Sequence, residues 1–123
     1  MYIRKITSSN YLNESAINSR CVLNKVLKII GKRWVPEILL QLSKQQPHRF
    51  STLKDAMHGV SDQVLSNALY LLVRNKLVEK IIYQEVPPRV EYSLTPTGVK
   101  LVSHLHQLCL WGQTNMQEET PGK

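Results

Sequence analysis

The sequence lacks the features that mark secreted, disulfide-rich and membrane-spanning proteins. It has only two cysteines, Cys21 and Cys109, which lie far apart and form no C-x-x-C pattern, so we expect free thiols in a reducing compartment. Residues 1–10 are too polar for a signal peptide. No apolar run approaches the roughly 20 residues that cross a bilayer. We therefore expect a soluble, cytoplasmic protein that makes no contact with a membrane.

Residue patterns typical of enzymes and metal sites are also missing. The sequence has no phosphate-binding loop, no nucleophile elbow and no paired-carboxylate arrangement. The histidines match no zinc spacing, and His104 and His106 are two residues apart, so on a helix they point to different faces. We expect no catalytic residue, no cofactor and no metal.

Acidic residues are few compared with basic ones. The chain has 16 Lys and Arg against 9 Asp and Glu, a formal net charge of +7, and the excess lies between Arg20 and Lys100. A basic folded domain attracts polyanions, of which nucleic acid is the commonest. Charge alone is equally compatible with an ordinary basic protein. The length predicts one domain, with residues 1–19 as an arm, 20–113 as the folded part and 114–123 as a flexible tail.

Apolar residues at helical spacing predict two helices in the first part of the domain. They are Val22, Val26, Ile29 and Ile30 in the first helix, and Trp34, Ile38, Leu39 and Leu42 in the second. Pro36 is tolerated in the first turn of the second helix, because its missing N–H loses no helical hydrogen bond there. The polar stretch at residues 43–49 predicts a loop.

Two capped helices joined by a tight turn follow. Ser51 is a predicted N-cap of a short helix whose buried residues are Leu53, Ala56 and Met57. His58 and Gly59 interrupt the pattern, and Ser61 caps a longer helix that buries Leu65, Ala68, Leu69 and Leu72. This arrangement is typical of a helix-turn-helix.

The periodicity then changes to that of strands. Residues 78–83 and 89–94 alternate as a hairpin, and the turn at 84–88 contains two prolines that exclude ladder pairing. Thr95 and Pro96 start a last helix, with an apolar stripe of Leu101, Leu105, Leu108 and Trp111. The predicted fold is mainly α with a small β-hairpin wing, a winged helix-turn-helix.

The chain resembles the HxlR-type regulators, a branch close to the MarR-like winged helices. The matching residues run in order from Cys21 through GKRW at 31–34, RFSTL at 49–53, GVS at 59–61, LS at 65–66, LV at 77–78 and YQEVPPRVEYSLT at 83–95 to Gly98 and Trp111. The resemblance implies dimeric transcription factors that bind DNA, several of which respond to electrophiles or oxidants through the cysteine corresponding to Cys21.

The chain departs from the family pattern at two places. The family usually has Gly where Lys76 stands, and a left-handed Lys76 would cost about 1 kcal/mol unless Asn75 takes that role. Asp62 and Gln63 occupy positions where family members often carry a basic residue. The operator of a relative is therefore not transferable to this chain.

The polar face of the second helix in the motif predicts contacts to DNA bases. Gln63 and Asn67 are one turn apart, and either amide can make two hydrogen bonds to adenine. Ser61 and Ser66 can reach a base or a phosphate, and Tyr70 a phosphate or a thymine methyl. The alternative is a merely solvated helix face. Asp62 would repel phosphates, so we expect it to serve the helix N-terminus or to accept from cytosine.

Basic residues near helix starts and in the wing predict phosphate contacts. Arg49 and Lys54, with Ser51 between them, are expected beside the DNA backbone. Arg89 at the wing tip either enters a minor groove or pairs with Glu85 or Glu91 and stiffens the hairpin. Lys80 and Lys100 are interpreted as ordinary surface charge.

Cys21 stands at a predicted helix start, next to Arg20, where the helix dipole lowers a thiol pKa. It is either a redox-sensing residue or a small buried residue at a helix start or subunit contact. Cys109 is expected in the core or an interface.

The apolar stripe of the last helix, with the first helix and the arm, could form a homodimer interface; the alternative is packing within one subunit. We therefore expect a homodimeric regulator that binds a palindromic operator in double-stranded DNA, with an electrophile or a small molecule as candidate effector. The alternatives are a protein-interaction module without specific DNA binding, and a small enzyme or ligand-binding protein.

Overall fold

The computed structural model describes residues 22–44 and 47–116. These fall into two units, one ending at Arg33 and one beginning at Trp34. In the first unit residues 22–30 form helix α1, as predicted. The helix closes where the Gly31 N–H donates to the Leu27 carbonyl at 2.8 Å.

The second unit has the element order of a winged helix. It contains α2 (Val35–Lys44), β1 (His48–Arg49), α3 (Phe50–Ala56), α4 (Asp62–Arg74), β2 (Val78–Tyr83), β3 (Arg89–Leu94) and α5 (Pro96–Asn115). The strands form one antiparallel sheet in the order β1-β3-β2. The predicted fold, mainly α with a small β wing, is confirmed.

The core of this unit lies where α2, α4 and α5 meet the sheet. Its fully buried side chains follow the helical period of α2 and α4; they are Val35, Ile38, Leu39, Leu42, Leu53, Leu65, Leu69, Leu72 and Val78. Helix α5 packs against α2 and β3 through Gly98, Val102 and Leu105. None of the helices within the described ranges is long and apolar enough to cross a membrane.

Helix α2 begins one residue later than the apolar spacing predicts. Trp34 has a φ of 78°, so it precedes the helix, and its carbonyl accepts the first helical bond from the Ile38 N–H at 2.9 Å. The left-handed conformation costs a non-glycine residue roughly 1–2 kcal/mol. Pro36 is the second residue of α2, in the first turn as predicted.

The prediction of a loop at residues 43–49 is wrong at both ends. Helix α2 continues to Lys44, because the Ser43 hydroxyl donates to the Leu40 carbonyl at 2.6 Å and so fits within the helix. His48 and Arg49 form strand β1, opposite Tyr92 and Glu91 of β3. The sheet therefore has three strands instead of the predicted two, and His48 is a buried residue of the described core.

Helix α3 starts and packs differently from the prediction. Its N-cap is Arg49, which makes no side-chain capping hydrogen bond, so the prediction of Ser51 as the cap is wrong. Strand β1 ends at Arg49 and leads directly into the helix, which moves the cap to that residue. Leu53 and Met57 are buried one turn apart, whereas Ala56 is exposed and was wrongly predicted to be buried.

Helix α4 is capped as predicted at its start and ends in a strained residue. The Ser61 hydroxyl accepts from the Val64 N–H at 3.1 Å. At the other end Asn75 has an ordinary φ of −91°, while Lys76 has a φ of 62°. The Lys76 N–H donates to the Val73 carbonyl and the Leu77 N–H to the Leu72 carbonyl, both at 3.0 Å, so the left-handed residue is fixed in place.

We expect Lys76→Gly to raise the free energy of unfolding by about 0.5–1 kcal/mol. Glycine adopts a left-handed backbone freely, and the gain is smaller than the full strain because glycine also makes the unfolded chain more flexible. Chemical denaturation measures the change. Asn75→Gly is the matched control and should give no gain; a gain from the control instead would mean that Asn75 is the left-handed residue.

Helix α5 begins as predicted and ends later. The Thr95 hydroxyl accepts from the Gly98 N–H at 3.0 Å, and Pro96 is the first helical residue. The helix continues to Asn115, two residues into the predicted tail, because the Asn115 side chain donates to the Trp111 carbonyl at 3.0 Å.

Candidate nucleic-acid interface

Helix α4 has one buried face and one polar, exposed face. Leu65, Ala68, Leu69 and Leu72 are buried. The candidate base-contacting residues are all exposed: Ser61, Gln63, Ser66, Asn67 and Tyr70. The fold thus brings these side chains together on one surface of one rigid helix.

Two side-chain amides of this surface are joined. The Gln63 Nε2 donates to the Asn67 Oδ1 at 3.0 Å. The pair keeps the Oε1 of Gln63 as an acceptor and the Nδ2 of Asn67 as a donor, beside the second N–H of Gln63 and the second lone pair of the Asn67 Oδ1. An acceptor beside a donor is the pattern that the major-groove edge of adenine requires, because adenine offers an N6 donor and an N7 acceptor.

The turn of the helix-turn-helix is bridged by an ion pair. The Lys54 Nζ of α3 lies 2.6 Å from the Asp62 Oδ1 at the start of α4. Asp62 lies in the first turn of α4, where a negative charge favours the helix N-terminus, and it holds Lys54. This pairing, which the sequence did not reveal, reduces the positive charge that Lys54 can offer to a phosphate. The alternative contact of Asp62 with cytosine stays a prediction.

Arg49 and Ser51 lie at the junction of the sheet and α3. Arg49 is opposite Glu91 in the register of β1 and β3, and Ser51 is in the first turn of α3. Both residues are exposed. They are separate in sequence from the α4 surface and mark the start of the first helix of the motif.

Arg89 makes the hairpin contacts that were one of its two predicted alternatives. Its Nη2 is 3.5 Å from the Glu85 Oε2 and its Nε is 3.5 Å from the Glu91 Oε2. Its guanidinium carbon also lies 4.0 Å from the centre of the Tyr83 ring. In this structure Arg89 stiffens the wing, and its contact with DNA stays a prediction.

A cleft of about 370 Å³ separates α4 from the sheet. It is lined on the helix side by Ser66, Asn67, Leu69, Tyr70 and Val73, and on the sheet side by Lys80 and Tyr92. Burial raises the pKa of the Tyr92 hydroxyl above its ordinary value of 10.0, so this group is neutral at physiological pH. The sequence pattern does not reveal this cleft, and it predicts Lys80 to be ordinary surface charge.

The structure describes only one of the two cysteines. Cys21, the candidate redox residue, lies outside the described residues. Cys109 is an exposed free thiol on α5, so the alternative that it belongs to the core is wrong. Within residues 22–44 and 47–116, no group of three His, Cys, Asp or Glu side chains is arranged to hold a metal ion.

The predicted apolar stripe of α5 is buried in its N-terminal part and exposed in its C-terminal part. Leu105 is buried within the chain and Leu101 is half-buried, so these residues pack inside one subunit. Leu108 is 59% exposed and Trp111 is 57% exposed. Exposed residues of this size need an explanation when they stand together.

Comparison with known proteins gives a consistent result. The model of a family described as HxlR-like helix-turn-helix matches residues 29–120. The HTH-type transcriptional regulator YtfH of Escherichia coli strain K12 is 35% identical over 115 residues, which cover 93% of this chain and 90% of YtfH.

Solved structures agree with this result. The reduced form of the transcriptional regulator YodB from Bacillus subtilis is 26% identical with a TM-score of 0.71, covering 78% of this chain and 93% of YodB. The redox regulator HypR in its oxidised form is 28% identical with a TM-score of 0.71, covering 80% of this chain and 100% of HypR. Both are regulators by name.

Proposed function

The chain belongs to the HxlR-like helix-turn-helix family of transcriptional regulators, and from this we propose that it binds a palindromic operator in double-stranded DNA as a homodimer. The observation that carries the proposal is the joined pair of Gln63 and Asn67 on the exposed face of α4. The pair presents a donor beside an acceptor on that exposed face, which is the combination that the major-groove edge of adenine requires.

In this proposal α4 lies in the major groove and reads bases through the Gln63–Asn67 pair. The hydrogen bond between the two amides restricts their rotamers before DNA arrives, so less conformational entropy is lost on binding. Each contact of this kind contributes roughly 1–3 kcal/mol to the discrimination against a wrong base. Ser61, Ser66 and Tyr70 flank the pair and contact a base edge or a phosphate.

Phosphate contacts orient the duplex without reading its sequence. Arg49 and Ser51, at the exposed start of α3, bind the backbone beside the groove. Lys54 contributes less than its charge suggests because Asp62 holds it at 2.6 Å. Arg89 supports the wing through Glu85 and Glu91, and contacts DNA from that fixed position.

Two-fold pairing is supported by the exposed apolar residues of α5. Leu108 and Trp111 are one turn apart in the exposed C-terminal part of α5, and α1 exposes Val22, Leu23 and Leu27. One winged helix reads few base pairs, so a dimer with half-sites about 10 base pairs apart, or a multiple, gains a second set of contacts.

The direct test is selection of bound duplexes from a random DNA library, with affinity measured against salt concentration. We expect a palindrome to be enriched and the affinity to fall steeply with salt, because phosphate contacts release counterions. The opposite result, no binding at low salt, would overturn the proposal and favour the protein-interaction module. Binding without an enriched motif would overturn the claim of sequence specificity.

We further propose that Cys21 makes operator binding responsive to oxidants or electrophiles. The similarity to YodB and to the redox regulator HypR supports this. Alkylation with N-ethylmaleimide should change operator affinity in the intact protein and in Cys109→Ser, but not in Cys21→Ser. An unchanged affinity after complete alkylation of Cys21 would contradict the proposal.

A further inference from the structure

The cleft between α4 and the sheet contains polar residues other than the Gln63–Asn67 pair that is proposed to read bases. Its helix side is lined by Ser66, Asn67 and Tyr70, which carry hydroxyl and amide groups, and its sheet side is lined by Lys80. Lys80 is opposite Tyr92 in the register of β2 and β3. Directly opposed residues of an antiparallel pair share one face of the sheet, so Lys80 and the buried Tyr92 line the same wall.

Lys80 differs from Lys54 and Arg89 in its partners. Lys54 is held by Asp62, and Arg89 by Glu85 and Glu91. No ion pair involving Lys80 occurs among the residues that the structure describes, and its side chain is exposed. An unpaired ammonium facing hydroxyl and amide groups across a cleft favours an oxyanion.

The place of the cleft identifies that oxyanion. Ser66 and Tyr70 follow Gln63 and Asn67 by three residues each, so they lie beside the base-reading pair, on the side toward the wing. When α4 occupies the major groove, the DNA strand that borders the groove passes between the helix and the wing. A backbone phosphate is then the anion that meets the cleft.

We propose that Lys80 binds a phosphate of the operator backbone in this cleft, together with the Tyr70 hydroxyl. The proposal rests on the proposed function and adds a residue to it. Lys80 thereby fixes the distance between the recognition helix and the strand that borders the groove. Arg89, whose charge is already compensated, is not the main source of the wing's attraction to DNA.

The test compares Lys80→Gln with Lys100→Gln on the selected duplex, over a series of salt concentrations. Lys100 is exposed on α5 and, within the described part of the chain, also makes no ion pair, so both variants remove one free charge. We expect Lys80→Gln to lower the slope of log affinity against log salt by about one per half-site. At 0.1 M salt the affinity should fall roughly tenfold per half-site, as this slope implies.

Further readouts separate phosphate binding from a structural role. The selected base sequence should stay the same for Lys80→Gln, because phosphate contacts carry no base identity. Lys80→Arg should restore the slope, and the thermal midpoint of Lys80→Gln should match that of the original chain.

The failures of the two proposals are distinguishable. If the original chain binds no duplex, the proposed function itself fails, and this inference with it. If the original chain binds but Lys80→Gln and Lys100→Gln have equal slopes, only the role of the cleft is overturned. A changed base preference in Lys80→Gln would assign Lys80 to base reading, which also overturns a phosphate contact.

Discussion

Gly98→Ala is expected to lower the free energy of unfolding by about 3 kcal/mol or more, since overpacking against a backbone atom lies at the upper end of such effects. A Cβ on Gly98 would overlap the Leu77 carbonyl oxygen and would stand 3.1 Å from the Leu77 carbonyl carbon and 3.2 Å from the Leu94 Cδ2. Two of these three atoms are backbone, so no side-chain rotation relieves the overlap.

The backbone at Leu77 is held from both sides. Its carbonyl accepts from the Thr95 N–H at 3.1 Å, and its N–H donates to the Leu72 carbonyl at 3.0 Å. The preceding carbonyl, of Lys76, accepts from the Thr95 hydroxyl at 2.7 Å. Moving Leu77 away from a new methyl group would break bonds that join the end of α4 to the start of α5.

Denaturation by urea measures this effect, and the same helix supplies the control. A Cβ on Gly112 would meet no atom within 4 Å, so Gly112→Ala should stabilise the protein by about 0.5–1 kcal/mol through helix propensity. If Gly98→Ala and Gly112→Ala changed the free energy of unfolding equally, the close packing of Gly98 against Leu77 would not be the reason for glycine at position 98.

The elements with long periodic patterns were predictable from the sequence. Helix α4 combines a regular apolar spacing with a capping serine, so both its start and its buried face follow from local chemistry. The strands β2 and β3 alternate over six residues each, and their two-proline turn excludes other pairings. Each of these signals lies within a short stretch of chain.

The features that the sequence did not predict depend on distant partners. Strand β1 is two residues long, too short for a period, and it exists only through its pairing with Tyr92 and Glu91. The start of α3 at Phe50 follows from that pairing, which is why Ser51 is not the cap. The left-handed Trp34 carries no local signal, since tryptophan does not favour that conformation.

The residues of the candidate site could be predicted from the sequence, but the contacts between their side chains could not. The polar face of α4 follows from its period, but the contact of Lys54 with Asp62 crosses a turn, and Lys80 meets α4 only in the folded sheet. The choice between two alternatives for Arg89 required the hairpin geometry. Charge in a sequence therefore indicates the class of partner, while the fold decides which charges remain available.

Trp111→Asp is expected to convert the proposed homodimer into a monomer and to lower operator affinity by about 100-fold or more. The second half-site binds as an intramolecular step in a dimer, and losing that linkage removes a factor on the order of 10²–10⁴. Trp111 is 57% exposed in the single chain, so an aspartate there meets water in the monomer and is buried without a partner in a dimer. Light scattering and binding to the selected duplex measure both effects.

Leu110→Asp is the matched control on the same helix. Leu110 is 55% exposed, close to the value for Trp111. At 3.6 residues per turn it lies about 160° around the helix from Leu108 and about 100° from Trp111, off the face that Leu108 and Trp111 share. This variant should remain dimeric and bind the operator, and Leu108→Asp should behave like Trp111→Asp.

The pattern across the three variants decides where the two copies meet. Dissociation by Leu108→Asp and Trp111→Asp alone assigns the interface to the face that these two residues share in the C-terminal part of α5. A dimer that survives both substitutions would contradict this and leave the exposed apolar residues of α1, namely Val22, Leu23 and Leu27, as the surface to test next. Dissociation by Leu110→Asp as well would mean that more than the predicted stripe is buried, because a single-sided contact cannot reach residues on opposite sides of one helix.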